Sequence, residues 1–116
     1  MRQISTLVVD DDEGVRDAVA ALLEIHGHQV EAVADAAQAL ESLRANVPDV
    51  VVCDYMLGNH TSRALAMSEE FRTVPVRVLL TGHETDSLDF KPAEQFTAVV
   101  EKTDGADALI AAIRKC

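Results

Sequence analysis

Apolar residues follow two alternating rhythms along this chain. Leu7-Val8-Val9, Val50-Val51-Val52-Cys53, Val76-Arg77-Val78-Leu79-Leu80 and Ala98-Val99-Val100 are short, largely unbroken runs. Their length and β-branched content predict strands buried on both faces, as in a parallel sheet. Gln29-Val30-Glu31-Ala32-Val33 instead alternates polar and apolar, which predicts an edge strand with one exposed face. Between the strands the apolar spacing becomes helical. Asp12 caps a first helix with Val15, Val19, Leu22, Leu23 and Ile25 inward, and Gly27 ends it. Asp35 caps a second, with Ala36, Ala39, Leu40 and Leu43 as its stripe, and Asn46-Val47-Pro48 breaks it.

A third helix is predicted from about 62 to 71. Residues 83–96 carry Pro92 and few periodic apolar positions, so only a short or irregular fourth helix fits there. The fifth has Asp104 as its cap, Leu109, Ile110 and Ile113 inward, and Arg114-Lys115 at its negative end. The reading is α/β: a single (βα)5 domain over residues 1–116, with helices on both faces of a parallel sheet.

The strand ends carry the chemistry. The first run stops at Asp10-Asp11-Asp12, the second long run at Asp54, the next at Thr81-Gly82, and the last at Glu101-Lys102. In an open α/β sheet these carboxyl ends form the edge where ligands bind. A lone run of aspartates is usually a turn or cap, and a lone lysine a solvated charge. Acids, a hydroxyl and an ammonium at successive strand ends are far more specific. Carboxylates crowded at one edge repel each other unless a cation compensates, and Mg²⁺ takes carboxylates plus waters. Asp11 and Asp54 would bind it directly, Asp10 directly or through water, with Lys102 facing the same pocket. Such equipment suits phosphoryl transfer to an exposed Asp.

A net charge of −10 weighs against nucleic acid or an anionic membrane as partner. Two cysteines give neither a disulfide framework nor a zinc site, and no apolar stretch reaches membrane-span length, so a cytoplasmic protein is expected. Cys53 reads as a small core residue. His26 and His28 flank a turn and read as structural, and His60 follows the third strand.

The residues Leu7-Val8-Val9-Asp10-Asp11, Pro48 to Asp54, Leu79-Leu80-Thr81-Gly82 and Lys102 carry a family resemblance. Over its whole length the chain resembles the receiver domain of bacterial two-component response regulators, chemotaxis regulators included. The resemblance implies a flavodoxin-like, doubly wound sheet of order 2-1-3-4-5. It implies a phosphorelay switch rather than an enzyme acting on other molecules, catalysing only its own phosphorylation and dephosphorylation. Asp54 would be the phospho-acceptor, served by a histidine kinase or phosphotransfer protein. Asp10, Asp11, Asp54 and the Met56 carbonyl would hold Mg²⁺, and Thr81 and Lys102 would grip the phosphoryl oxygens. Met56 and His83 occupy positions that modulate dephosphorylation, while Thr81 and Val99 occupy the switch positions. The chain would act on a separate downstream protein, as a stand-alone receiver or as part of a larger regulator or hybrid kinase.

Departures from the family pattern bear on output. Gly58 stands where a proline is usual, Thr61-Ser62 where Asp-Gly is common, and Thr103 where a cis proline follows the lysine. Val99 replaces an aromatic that swings with the hydroxyl residue. These favour an alternative, a pseudo-receiver binding partners without phosphorylation. The Asp10-x-Asp12 spacing also matches a haloacid-dehalogenase-type phosphatase superficially, but Gly14 does not continue that motif.

Overall fold

The structure is a computed structural model that describes residues 3–82 and 88–114. Its elements run β1 (Ile4–Val9), α1 (Glu13–Ile25), β2 (His28–Val33), α2 (Ala36–Ala45), β3 (Val50–Asp54), β4 (Met56–Leu57), β5 (His60–Thr61), α3 (Arg63–Ala66), α4 (Glu69–Arg72), β6 (Val76–Thr81), α5 (Pro92–Gln95), β7 (Ala98–Glu101), a 3₁₀ turn at Lys102–Asp104, and α6 (Ala106–Arg114).

Five strands form a parallel sheet of order β2-β1-β3-β6-β7. With the β4–β5 hairpin set aside, this is the predicted order 2-1-3-4-5. Alternation along the central strands divides the core in two. Leu7, Val9, Val51, Cys53 and Leu79 pack on the α2–α4 side with Ala39, Leu43, Leu65 and Phe71. Val8, Val50, Val52, Val78 and Leu80 pack against Leu23, Leu109, Ile110 and Ile113 from α1 and α6. Strands buried on both faces need apolar residues at both parities, which is why their sequences read as continuous runs.

The caps behave as expected at the first two helices. Asp12 accepts a hydrogen bond from the Val15 amide at 3.1 Å and Asp35 from the Gln38 amide at 2.8 Å. Elsewhere local signals were overridden. Ile25, placed on the buried stripe of α1, is 81% exposed, because it lies in the last turn where the chain swings away at Gly27. The expected third helix is two single turns, interrupted at Met67-Ser68. The Ser68 hydroxyl donates to the Leu65 carbonyl at 2.7 Å and accepts from the Phe71 amide at 3.2 Å, ending one turn and capping the next. Asp104 does not cap α6. Its carboxylate accepts from the Glu101 amide at 3.1 Å and closes the 3₁₀ turn, so α6 starts at Ala106. Of the fourth crossover, expected to be short or irregular over 83–96, the described residues 88–97 contain one helical turn, α5, with Pro92 in it.

Candidate functional site

Each carboxylate at the sheet edge is placed by backbone geometry rather than by packing of its own side chain. Asp10 leaves β1 with its amide donating to the Val33 carbonyl, and its Oδ1 accepts from the Asp12 amide at 2.9 Å. The Arg16 guanidinium, one turn into α1, donates to the Asp10 carbonyl at 3.0 Å. Asp54 ends β3 opposite Leu80 of β6, so Thr81 follows one residue further along the same edge. Thr81 is fully buried and lies opposite Glu101 in β7, which puts Lys102 just beyond.

These placements bring Asp10, Asp11 and Asp54 together: one oxygen from each lies within 4.8 Å of the others. The Lys102 ammonium donates to Asp54 Oδ2 at 3.0 Å. Asp10 and Asp54 are buried while Asp11 is exposed, so the cluster opens to solvent on one side. Burial pushes the Asp10 carboxyl above its ordinary range, and the nearby Asp54 and Asp11 charges add to that, against the Asp12 amide and the Lys102 ammonium. One ammonium faces three carboxylates, which leaves surplus negative charge. That donor set, all hard oxygen, fits a hard divalent cation such as Mg²⁺.

The sequence pattern did not reveal how Asp11 is held. Residues after Asp54 form a small antiparallel hairpin, β4 against β5, with Met56 opposite Thr61 and Leu57 opposite His60. Gly58 turns it with φ +70°, and among the described residues no non-glycine has positive φ. Positive φ at the first central position only is the signature of a type II′ turn, which glycine favours. The Gly58 amide donates to Asp11 Oδ2 at 3.0 Å. A proline there could supply neither that φ nor that donor, which accounts for the departure at this position. The peptide after Lys102 is trans, as are all described peptide bonds.

The other candidates fall around this cluster. Met56 is half-buried at the start of β4, and Val99 is half-buried in β7, packed against the α2–α4 side of the core. His83 lies outside the described residues. His60 is exposed in β5. His28 is buried with its Nδ1 2.8 Å from the Thr6 hydroxyl, and His26 Nδ1 lies 3.0 Å from the Leu22 carbonyl, so both are structural. Cys53, the residue before Asp54 in β3, is fully buried.

Known proteins match this picture. The family model for the response regulator receiver domain matches residues 6–114. The transcriptional regulatory protein CseB of Streptomyces coelicolor is 34% identical over 97% of this chain and 48% of its own length. The chain thus spans about half the length of that relative. Among solved structures, a CheY-like receiver domain from Methanospirillum hungatei superposes with a TM-score of 0.87 at 20% identity, covering 98% of this chain and 93% of that one. A response regulator from Burkholderia pseudomallei, solved with a phosphorylated aspartic acid, calcium ion and citrate, gives 0.84 at 22% identity over 96% and 66%. The chain belongs to the receiver domain family of response regulators, which are signalling switches of two-component systems.

Proposed function

We propose that residues 1–116 form one receiver unit whose switch is phosphorylation of Asp54 by a histidine kinase or a phosphotransfer protein. The observation that carries this is the Asp54 carboxylate itself. Lys102 holds one of its oxygens, and the Asp10 and Asp11 carboxylates stand beside it on the open edge of the sheet. In the transfer, an Asp54 oxygen attacks phosphorus in line, the bond to the donor's histidine nitrogen breaks, and that nitrogen takes the electron pair. Lys102 offsets charge on the phosphoryl oxygens, and the buried Thr81 hydroxyl receives one of them. Asp10, Asp11, Asp54 and the Met56 carbonyl would hold Mg²⁺, which when bound supplies further neutralisation of the phosphoryl oxygens. The Burkholderia relative's phosphorylated aspartate and calcium ion belong to the same classes of modification and cation.

Hydrolysis of the acyl phosphate resets the switch, and Met56 and His83, two residues past Asp54 and Thr81 in the sequence, would modulate its rate. The chain turns over no other substrate. Its output is altered binding of a separate protein in the cytoplasm. The pseudo-receiver reading, favoured by Val99 and Thr103, is separated by one measurement. Intact mass after incubation with a small phosphodonor and Mg²⁺ is expected to show a single phosphoryl adduct in the wild type and none in Asp54→Ala. A wild type without adduct establishes the phosphorylation-independent module.

A further inference from the structure

The chain has one tyrosine, three phenylalanines and no tryptophan, and its four aromatic rings form a single line of contacts. Tyr55 lies 6.0 Å from Phe90, Phe90 lies 5.9 Å from Phe96, and Phe96 meets Phe71 edge-on at 5.2 Å. The line starts at the residue bonded to Asp54 and ends in α4. Beside it runs a polar tie. The Tyr55 hydroxyl donates to Asp89 Oδ1 at 3.0 Å and accepts from the Asp89 amide, also at 3.0 Å. The Thr61 hydroxyl donates to the other oxygen, Asp89 Oδ2, at 2.8 Å. Both carboxylate oxygens and the amide of Asp89 are therefore held by two residues of the acceptor loop.

The loop end of this tie is stiff. The Tyr55 amide donates to the Leu80 carbonyl at 3.0 Å, and its carbonyl accepts from the Ser62 amide at 2.7 Å. Tyr55 itself is buried, so its ring cannot relax into solvent when its backbone shifts. At the opposite end of the 88–96 segment Thr97 makes three hydrogen bonds of 2.7 to 2.9 Å with the Arg77 backbone. The segment is strung between these two anchors and contains only the four residues of α5 as regular structure. Few regular backbone hydrogen bonds mean low local stability, so a displaced anchor changes its population of conformers easily. On the β7 side, position 99 offers only a valine.

We propose that Tyr55 is a positioning residue whose hydroxyl, through Asp89, couples the state of the Asp54 loop to the conformation of segment 88–96. The coupling rests on Asp54 being the phospho-acceptor. Phosphorylation places new charge one residue from Tyr55. Any adjustment of the 54–56 backbone is carried along the rigid phenol to Asp89, and from there to the face built by α5 and β7. Coupling of this kind is reciprocal: a partner that alters segment 88–96 alters the phosphorylation equilibrium by the same factor.

The test uses the wild-type chain, Tyr55→Phe, Asp89→Ala and Thr61→Ser, each with a small phosphodonor and Mg²⁺. Intact mass gives the extent of phosphorylation, and amide hydrogen exchange is followed over residues 88–97 in both states. The wild type is expected to form the adduct and shift exchange in that segment by at least about threefold. Tyr55→Phe keeps the ring contacts and is expected to phosphorylate normally yet lose most of the shift. Asp89→Ala, a change at an exposed residue, behaves the same, while Thr61→Ser, which keeps the hydroxyl, retains the shift. A full shift in Tyr55→Phe overturns the proposal, as does loosening of the segment by equal amounts in both states. An adduct in the wild type with no shift over 88–97 overturns the coupling alone. No adduct at all removes the phospho-acceptor reading and the coupling with it.

Discussion

Replacing Gly58 separates the turn from the site it serves. A Cβ built on Gly58 meets nothing within 4 Å, so the penalty for a side chain there is one of backbone conformation and not of packing. At φ +70° an alanine costs about 1–2 kcal/mol, whereas asparagine, commoner than alanine at the positive-φ positions of such hairpin turns, costs less. Proline cannot adopt the angle and also removes the donor to Asp11, a hydrogen bond to a charged acceptor worth about 1.5 kcal/mol at an exposed site. We expect a loss of about 3 kcal/mol for Gly58→Pro.

Urea unfolding followed by far-ultraviolet circular dichroism measures all three variants, and in thermal melts each kcal/mol lowers Tm by about 4 °C. The predicted order of stability is wild type, Asn, Ala, Pro. The rise in Tm caused by Mg²⁺ adds a second readout. It is expected to survive Gly58→Asn and to shrink in Gly58→Pro, where the Asp11 carboxylate is no longer held. An alanine variant as stable as the asparagine one refutes the turn argument. A proline variant with an undiminished Mg²⁺ response refutes the role of the Gly58 amide.

Three further outcomes follow from burial and charge. Asp10→Asn keeps an oxygen for the Asp12 amide and removes a buried charge crowded by two others, so in the absence of divalent cations it is expected to stabilise the fold at neutral pH. The same change should abolish the Mg²⁺-induced rise in Tm, and a loss of stability without Mg²⁺ would contradict it. Burial, with His26 nearby, holds the His28 imidazole below its ordinary value of 6.5, so its neutral form is the folded one. Its contribution is complete above that value and is lost as pH falls through the lower folded-state value. A His28→Gln chain should show a flatter stability profile between about pH 5 and 7, and an unchanged slope would count against this. Burial also pushes the Cys53 thiol far up, out of reach of alkylation. In a Cys116→Ser background, iodoacetamide should label the native protein only at the rate of global unfolding, and rapid labelling would show the core to be open.

Much of the molecule is local in origin and therefore legible in the chain. The unbroken runs at Leu7–Val9, Val50–Cys53 and Leu79–Leu80 report strands buried on both faces, and alternation at Gln29–Val33 reports the edge. Asp12 and Asp35 cap helices through bonds that span three residues. The acid, hydroxyl and ammonium at the strand ends converge because strands in a parallel sheet end on one side, so the Asp10–Asp11–Asp54 cluster and the Lys102 contact followed from order alone. Tertiary structure decided the rest. The Ser68 break depended on one hydroxyl serving two turns, and Asp104 turned back to Glu101 instead of forward to α6. Asp11 found its donor 47 residues away at Gly58, and Tyr55 found Asp89 at a separation of 34. Periodicity and capping are set by neighbours within about two helical turns. A hydrogen bond between distant loops depends on where the whole sheet has placed their ends, and no local pattern records that.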